Sequence, residues 1–143
     1  MQVSVLLLAK GSTVVTVGPD VSTVDVVATL AHHRIGAVVV SADGRRIDGV
    51  LSERDVVRAL AQHGAAALDE PVSRWMTSEV VTCQADTTVE ELMTTMTERR
   101  IRHVPVVVNG ELAGVVSIGD VVKDRISTLE YETEVLHQYI ANP

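Results

Sequence analysis

The segments GVLSERDVV at residues 49–57 and GVVSIGDVV at residues 114–122 decide the fold of this chain. They share a glycine, a serine, an aspartate and three valines at matching places. Each joins a short apolar run to a Ser-x-x-Asp motif, a pattern that indicates a strand ending where a helix begins. Two such segments in one chain indicate a repeated unit.

The likeness extends outward from these segments. Residues 14–40 match residues 80–106 at a constant offset of 66, with nine identities. The identical pairs are Val14/Val80, Val15/Val81, Thr16/Thr82, Asp20/Asp86, Thr29/Thr95, Arg34/Arg100, Ile35/Ile101, Val38/Val104 and Val40/Val106. Because the match resumes after a loop that is one residue longer in the first copy, we interpret the chain as a duplicated fold unit.

Each copy begins with a strand and a helix. Short β-branched runs, Val14–Val17 and Val80–Cys83, predict the strand. Ser-x-x-Asp at residues 22–25 and Thr-x-x-Glu at residues 88–91 predict a capped helix start. Apolar residues at helical spacing follow and predict one buried helix face in each copy. They are Val26, Val27 and Leu30 in the first copy, and Leu92, Met93 and Met96 in the second.

Two further strands and a second helix complete each copy. Valine-rich runs at residues 38–40 and 104–108 predict a strand. Asp-Gly at residues 43–44 and Asn-Gly at residues 109–110 then predict a hairpin turn. The helix that closes each copy begins at the serine of the Ser-x-x-Asp motif.

These elements predict a mixed α/β (α+β) fold. It consists of two β-α-β-β-α repeats packed sheet to sheet with pseudo-twofold symmetry, because one repeat alone would leave an apolar sheet face uncovered. We assign residues 1–64 to repeat 1, residues 65–74 to a linker, residues 75–130 to repeat 2 and residues 131–143 to a C-terminal helical extension. We expect the apolar start, Val5 to Ala9, to be a packing helix or strand.

Composition limits the classes of function. The 143 residues carry a net charge of −7, which disfavours nucleic-acid binding and means that any anion site must be local. Cys83 is the single cysteine of the sequence, so no disulfide forms within the chain, and we expect a cytoplasmic protein with a buried structural thiol. The apolar start, Val5 to Ala9, is too short to span a membrane, so no membrane association is expected.

The Ser-x-x-Asp pairs carry the sharpest chemical signal. Ser52 with Asp55, and Ser117 with Asp120, lie where a strand ends and a helix starts, so free backbone amides there attract anions. An ionised aspartate accepts hydrogen bonds and suits the vicinal hydroxyls of a ribose. The alternative is that each pair only caps its own helix.

With both copies aligned, the chain resembles a tandem pair of cystathionine-β-synthase (CBS) domains, a Bateman module. The likeness rests on Val-Val-Thr before Asp20 or Asp86, on HRIGAVVV at residues 33–40 and RIRHVPVV at residues 100–107, and on the two Gly-x-x-Ser-x-x-Asp endings. The family folds as paired β-α-β-β-α repeats. Their two clefts bind adenosine-containing ligands such as AMP, ADP, ATP, NAD or S-adenosylmethionine.

The resemblance implies two clefts, in which the aspartate holds the ribose. By position, the Asp55 cleft would use Ser52, Asp55, Arg102, His103 and Val80, with Arg54 as an added phosphate contact. The Asp120 cleft would use Ser117, Asp120, Ile35, Gly36, Ala37 and Val14. Lys10, Thr77 and Pro105 are further candidate ligand contacts beside these segments.

The two implied clefts differ in charge. Arg102 and His103 of the second copy stand where the first copy has Gly36 and Ala37. Since guanidinium groups grip phosphate oxygens in bidentate fashion, we expect the Asp55 cleft to prefer the more phosphorylated ligand. The alternative for the arginines around residue 100 is a solvated helix end whose cations complement the helix dipole.

We therefore predict a regulatory adenine-nucleotide sensor without catalysis. AMP is the first candidate ligand, with ATP, ADP or NAD as others. The sequence has no nucleophile elbow, Walker loop or zinc spacing, and neighbouring His32 and His33 point too far apart to chelate one ion.

A protein-interaction adaptor with empty clefts is the second hypothesis. Apolar residues recur at helical spacing near the C-terminus: Ile126, Leu129, Thr133, Leu136 and Ile140. This helix either seals a homodimer or covers its own domain. A closed twofold homodimer is the simplest assembly, and an unidentified protein target is possible.

Overall fold

The structure is a computed structural model that describes residues 1–11 and 13–142. Ser12 and Pro143, which fall in the predicted ranges 1–64 and 131–143, lie outside the described residues. Within these bounds the helices are α1 (Val3–Lys10), α2 (Thr23–His33), α3 (Glu53–His63), α4 (Val89–Arg99) and α5 (Ile118–Ala141). The strands are β1 (Thr16–Val17), β2 (Ala37–Val40), β3 (Gly49–Ser52), β4 (Cys83–Gln84), β5 (His103–Val108) and β6 (Glu111–Ser117). Short 3-10 helices at Gly64–Asp69 and Val72–Arg74 join the two halves.

The strands form two sheets of the same topology. The first has the order β1-β2-β3 and the second β4-β5-β6, with a parallel pair followed by an antiparallel pair in each. Ala37 lies opposite Ser52, and His103 lies opposite Ser117 at the equivalent register. This confirms the predicted mixed fold of two β-α-β-β-α repeats.

The first strand of each repeat is shorter than predicted. Pairing begins only at Thr16 and at Cys83, so Val14 and Val80 precede the paired strands. The predicted strand bounds Val14–Val17 and Val80–Cys83 are therefore wrong at their starts. The segments before both strands instead line cavities between the repeats.

Both predicted hairpins form, but only the second has a tight two-residue turn. Asn109 and Gly110 have φ values of 53° and 77° and join β5 directly to β6. Between β2 and β3 the chain instead makes a longer loop around Asp43. Its Oδ1 accepts hydrogen bonds from the amides of Arg45 and Arg46. These two amides are the main reason that the pKa of Asp43 lies below its ordinary value.

Three of the four expected helix caps form. Ser52, Thr88 and Ser117 each accept a bond from the amide three residues on, and the acidic side chain there accepts from the cap amide in return. The Ser22 side chain makes no capping bond to any described residue, so that prediction is wrong. The start of α2 is held from the linker, because Glu70 O accepts from both the amide and the hydroxyl of Thr23.

Each repeat has its own apolar core, completed by a segment from elsewhere in the chain. Val3 and Leu6 of α1 are buried in the core of the second repeat, where Val3 N donates to Thr87 O at 2.8 Å. Val72 of the linker is buried in the core of the first repeat and its amide donates to Val21 O at 2.8 Å. Val5 to Ala9 thus lies in a packing helix, as expected, but on the opposite repeat.

The predicted boundaries remain proposals. The division at residue 130 falls inside α5, which runs without a break from Ile118 to Ala141. Among the described residues, no helix is both long and apolar enough to span a bilayer. Cys83 is buried, and this burial raises the pKa of its thiol to about 11.

Gly49 and Gly114, equivalent glycines of the two repeats, meet different neighbours. A Cβ at Gly49 would lie 2.6 Å from Met76 Sδ and 2.9 Å from the backbone oxygen of Thr77. A Cβ at Gly114 would lie 2.6 Å from Leu7 Cδ2, the end of a flexible side chain. The backbone of Thr77 cannot move aside as the Leu7 side chain can, so Gly49 tolerates a larger residue less well than Gly114 does.

We predict that Gly49→Ala lowers the free energy of unfolding by roughly 1–3 kcal/mol, the usual cost of overpacking. Gly114→Ala is the matched control and should cost clearly less. Both variants restrict the unfolded chain alike, so their difference in urea unfolding isolates the clash. Equal losses in the two variants would contradict this account.

Candidate functional site

The candidate site begins at the capped start of α3. Asp55 Oδ2 accepts bonds from the amide and hydroxyl of Ser52, at 2.9 and 3.1 Å. The hydroxyl of Thr77 lies 3.4 Å from Asp55 Oδ1. Ser52 and Asp55 therefore cap their own helix, which was the alternative interpretation of this motif. The bonds also fix the carboxylate at the rim of a cavity, where it keeps capacity to accept from a ligand.

This cavity, the Asp55 cleft, has a volume of about 600 Å³, within the usual range for small-molecule sites. Its lining includes seven of the residues proposed from sequence for this region: Ser52, Arg54, Asp55, Thr77, Val80, Arg102 and His103. Gly36 and Ala37, which were proposed for the other cleft, also line it. The cleft thus combines the start of α3, the segment after α4 and the segment before β4.

Arginine side chains dominate the charge of the Asp55 cleft. Five line it: Arg54, Arg58, Arg99, Arg100 and Arg102, against the carboxylates of Glu53, Asp55 and Glu79. Arg54 Nη1 donates to Arg100 O at 3.3 Å, which ties α3 to the end of α4. An otherwise acidic chain therefore presents a local cationic wall next to the Asp55 carboxylate.

Several lining residues were not among the site predictions. Glu53, Arg58, Glu79, Val81, Arg99, Arg100 and Ile101 also line the Asp55 cleft. Arg58 follows Arg54 by four residues on α3, so helical spacing could have placed both on one face. Arg99 and Arg100 were weighed mainly as helix-end cations, and Arg100 also adopts the left-handed conformation that ends α4.

The second cavity, the Asp120 cleft, is smaller, at about 240 Å³. Its lining includes Lys10, Val14, Ile35, Gly36, Ala37, Pro105 and Ser117 from the sequence predictions, together with His103. Lys10 Nζ donates to Asp120 Oδ2 at 2.7 Å and to Val115 O at 2.7 Å. Asp120, the carboxylate predicted for this cleft, does not line the cavity itself; it is paired with Lys10, which does.

Comparison with known proteins agrees with this geometry. The CBS domain profile matches residues 11–62 and again residues 72–126. The chain belongs to the CBS-domain family. The tandem CBS pair inferred from the internal repeat is confirmed.

Solved structures share the fold of the pair. A CBS-domain containing protein from Agrobacterium tumefaciens is 55% identical, with a TM-score of 0.84, covering 87% of this chain and 99% of that one. A CBS domain protein from Pyrobaculum aerophilum, solved in complex with AMP, is 33% identical with a TM-score of 0.77, covering 93% and 99%. Mitochondrial CBSX3 of Arabidopsis thaliana is 34% identical over 125 residues. That alignment covers 85% of this chain but only 61% of the plant protein.

In the second CBS repeat, Asp120 is shifted toward its ionised form. Partial burial works to raise the pKa of Asp120, but hydrogen bonds from the Lys10 ammonium and the Ser117 amide outweigh it. The pKa of this carboxyl therefore lies below its ordinary value, and the ion pair persists through mildly acidic pH. A ribose would have to compete with Lys10 for Asp120 Oδ2.

His103 lies in the wall between the two CBS clefts and lines both. A Cβ on Gly36 would approach its Cε1 to 3.2 Å, so the small residue of repeat 1 makes room for the ring of repeat 2. Burial is the main cause of a pKa of His103 below its ordinary value, and the positive charge of Lys10 adds to it. Glu53 and Asp120 act in the opposite direction.

We predict that Lys10→Met raises the pKa of His103, because it removes a nearby positive charge and leaves Asp120 unpaired. Lys10→Arg keeps the charge and is the control. The measurement is an NMR titration of the histidine rings, with His103 assigned by its loss in His103→Gln. An unchanged His103 pKa in Lys10→Met would show that the ammonium does not act on the ring.

Proposed function

We propose that this CBS pair is a non-catalytic regulatory module that binds an adenine nucleotide in the Asp55 cleft, with AMP as the first candidate. The observation that carries the proposal is the fixed Asp55 carboxylate at the rim of a 600 Å³ cavity walled by arginines. ADP, ATP and NAD share the same adenosine part. They are the other ligands to test.

Each part of such a ligand has a matching surface. Asp55 accepts bonds from vicinal ribose hydroxyls, since an ionised carboxylate has acceptor capacity beyond its bonds to Ser52. Val80 and Ile101 offer apolar contact to a base. Arg102, with Arg54 at the start of α3, offers charge-assisted hydrogen bonds to phosphate oxygens.

The relative from Pyrobaculum aerophilum supports the choice of AMP. That protein was solved with AMP, shares 33% of its residues with this chain and aligns over 93% of it. A nucleoside monophosphate is also consistent with the size of the Asp55 cleft.

We propose that the Asp120 cleft does not take a nucleotide under conditions that fill the Asp55 cleft. Its volume is less than half as large, and Asp120 lies outside its lining, in an ion pair with Lys10 at 2.7 Å. Among the described residues, Arg34 is the one arginine that lines it, whereas five arginines line the Asp55 cleft. The expected stoichiometry is therefore one nucleotide per chain.

Ligand binding should stabilise the native state by RT ln(1 + [L]/Kd). We predict that AMP raises the Tm of the wild-type protein and titrates calorimetrically to one site. Asp55→Ala should weaken AMP binding by at least about tenfold, the usual cost of losing hydrogen bonds to a charged group. Asp120→Ala removes the equivalent helix cap and is the matched control, expected within about threefold of wild type.

Two outcomes of this experiment would contradict the proposal. Absence of any Tm shift with millimolar AMP, ADP, ATP or NAD would exclude the nucleotide sensor. Weaker binding in Asp120→Ala than in Asp55→Ala would assign the ligand to the other cleft.

A second prediction locates the phosphate. Arg102→Ala should weaken AMP binding but leave adenosine binding nearly unchanged, because the guanidinium acts on the phosphate alone. Arg46→Ala, which removes an exposed arginine of the loop between β2 and β3, is the control and should leave both affinities as in wild type. An equal loss for AMP and adenosine in Arg102→Ala would place Arg102 at the nucleoside instead.

A further inference from the structure

The C-terminal half of α5 exposes a row of large apolar side chains. Leu129 is 46% exposed, Leu136 58% and Ile140 68%. Within residues 1–11 and 13–142, Val121 is the one residue of α5 in the buried core. The helix thus starts on its own domain and then leaves it. The alternative that this segment covers its own domain is not what the structure has.

The exposed row follows a heptad pattern. Val122, Ile126, Leu129, Thr133, Leu136 and Ile140 are separated alternately by four and three residues. This spacing places Ile126, Thr133 and Ile140 at the a positions of a coiled coil, and Val122, Leu129 and Leu136 at the d positions. Such a seam suits a partner helix of the same repeat length, and a second copy of this chain supplies one.

The residue types at the seam favour two parallel strands. All three a positions are β-branched, and two of the three d positions are leucine. β-branched residues at a with leucine at d are the combination that favours parallel dimers over trimers and tetramers. Thr133 satisfies its own hydroxyl, which donates to Leu129 O at 2.8 Å, so its methyl group can enter the seam.

The flanking charges select the same orientation. In a parallel pair, each g residue faces the e residue five positions later on the other helix. Arg125 would then face Glu130 of the second copy, and Glu132 would face His137. In an antiparallel pair with the a and d layers matched, Glu130 would meet Glu130 and Glu132 would meet Glu132. Like charges would then oppose each other at the centre of the interface.

We propose that residues 122–140 of α5 pair with the same segment of a second copy as a parallel two-stranded coiled coil. Most of the stability of a helix in a protein comes from packing of its apolar face, and the exposed row of this segment has no such packing within the described chain. The segment extends from a start that is already fixed by the Ser117 cap and by buried Val121. This inference does not depend on nucleotide binding.

Charge reversal tests the pairing. Arg125→Glu and Glu130→Arg should each weaken the dimer by about tenfold, because two symmetric attractions become repulsions. The double variant Arg125→Glu/Glu130→Arg should return to near wild-type affinity. Sedimentation equilibrium at low salt measures all four proteins, and circular dichroism checks that each remains folded.

Disulfide trapping tests the orientation. In a Cys83→Val background, which places at this position the valine that repeat 1 has at residue 17, Ile140→Cys should form an interchain disulfide on mild oxidation. In an antiparallel pair, residue 140 would lie beside residue 122 and no such bond would form. Gln138→Cys, on the opposite face of the helix, is the matched control and should stay reduced.

The inference fails on any of three results. A monomeric wild-type protein at 100 μM would exclude self-association through α5. Failure of the double charge variant to recover would exclude the Arg125–Glu130 pairing. A dimer that survives Leu129→Asp/Leu136→Asp without loss of affinity would place the interface elsewhere on the molecule.

Discussion

The capped junction between a strand and a helix is the constraint on which the rest of this structure depends. At Ser52 and at Ser117, a serine ends an antiparallel strand and an aspartate three residues later closes the first turn of the next helix. The same hydrogen bonds that satisfy orphan amides also fix the carboxylate in space. The same hydrogen bonds thus cap the helix and hold a carboxylate that can accept further bonds. Neither interpretation of the Ser-x-x-Asp motif excludes the other.

Duplication made two such junctions, and their neighbours made them unequal. Thr77 reaches Asp55 with a hydroxyl, whereas Lys10 reaches Asp120 with an ammonium at 2.7 Å. A hydroxyl leaves the negative charge of Asp55 unbalanced, whereas the Lys10 ammonium balances the charge of ionised Asp120. Five arginines line the Asp55 cleft, whereas Arg34 is the one arginine among the described residues that line the second cavity. The clefts thus differ in charge through the residue that contacts each aspartate and through the arginines of α3 and of the end of α4.

Local patterns predicted most of the fold because they act over a few residues. The helix faces and the Asn109-Gly110 turn are encoded by spacing within a short window, and the repeat presents most of these patterns twice. Seven of the residues that line the Asp55 cleft were also predictable, because the two repeats pair symmetrically. The contact of Lys10 with Asp120 was not, since 110 residues separate them and no periodicity records it. It arises because α1 crosses to the second repeat, where Val3 and Leu6 complete an apolar core.

Helix α5 joins the region of the two clefts to the exposed apolar row near the C-terminus. It begins at the cap that holds Asp120 and runs for 24 residues, about 36 Å at 1.5 Å per residue, into the exposed heptad row. His103 lies in the wall that the Asp55 cleft shares with this cap region. His103 also lies opposite Ser117, the cap of α5, in the β5–β6 register. Any coupling between nucleotide binding in the Asp55 cleft and pairing of two α5 helices would by linkage act equally in both directions.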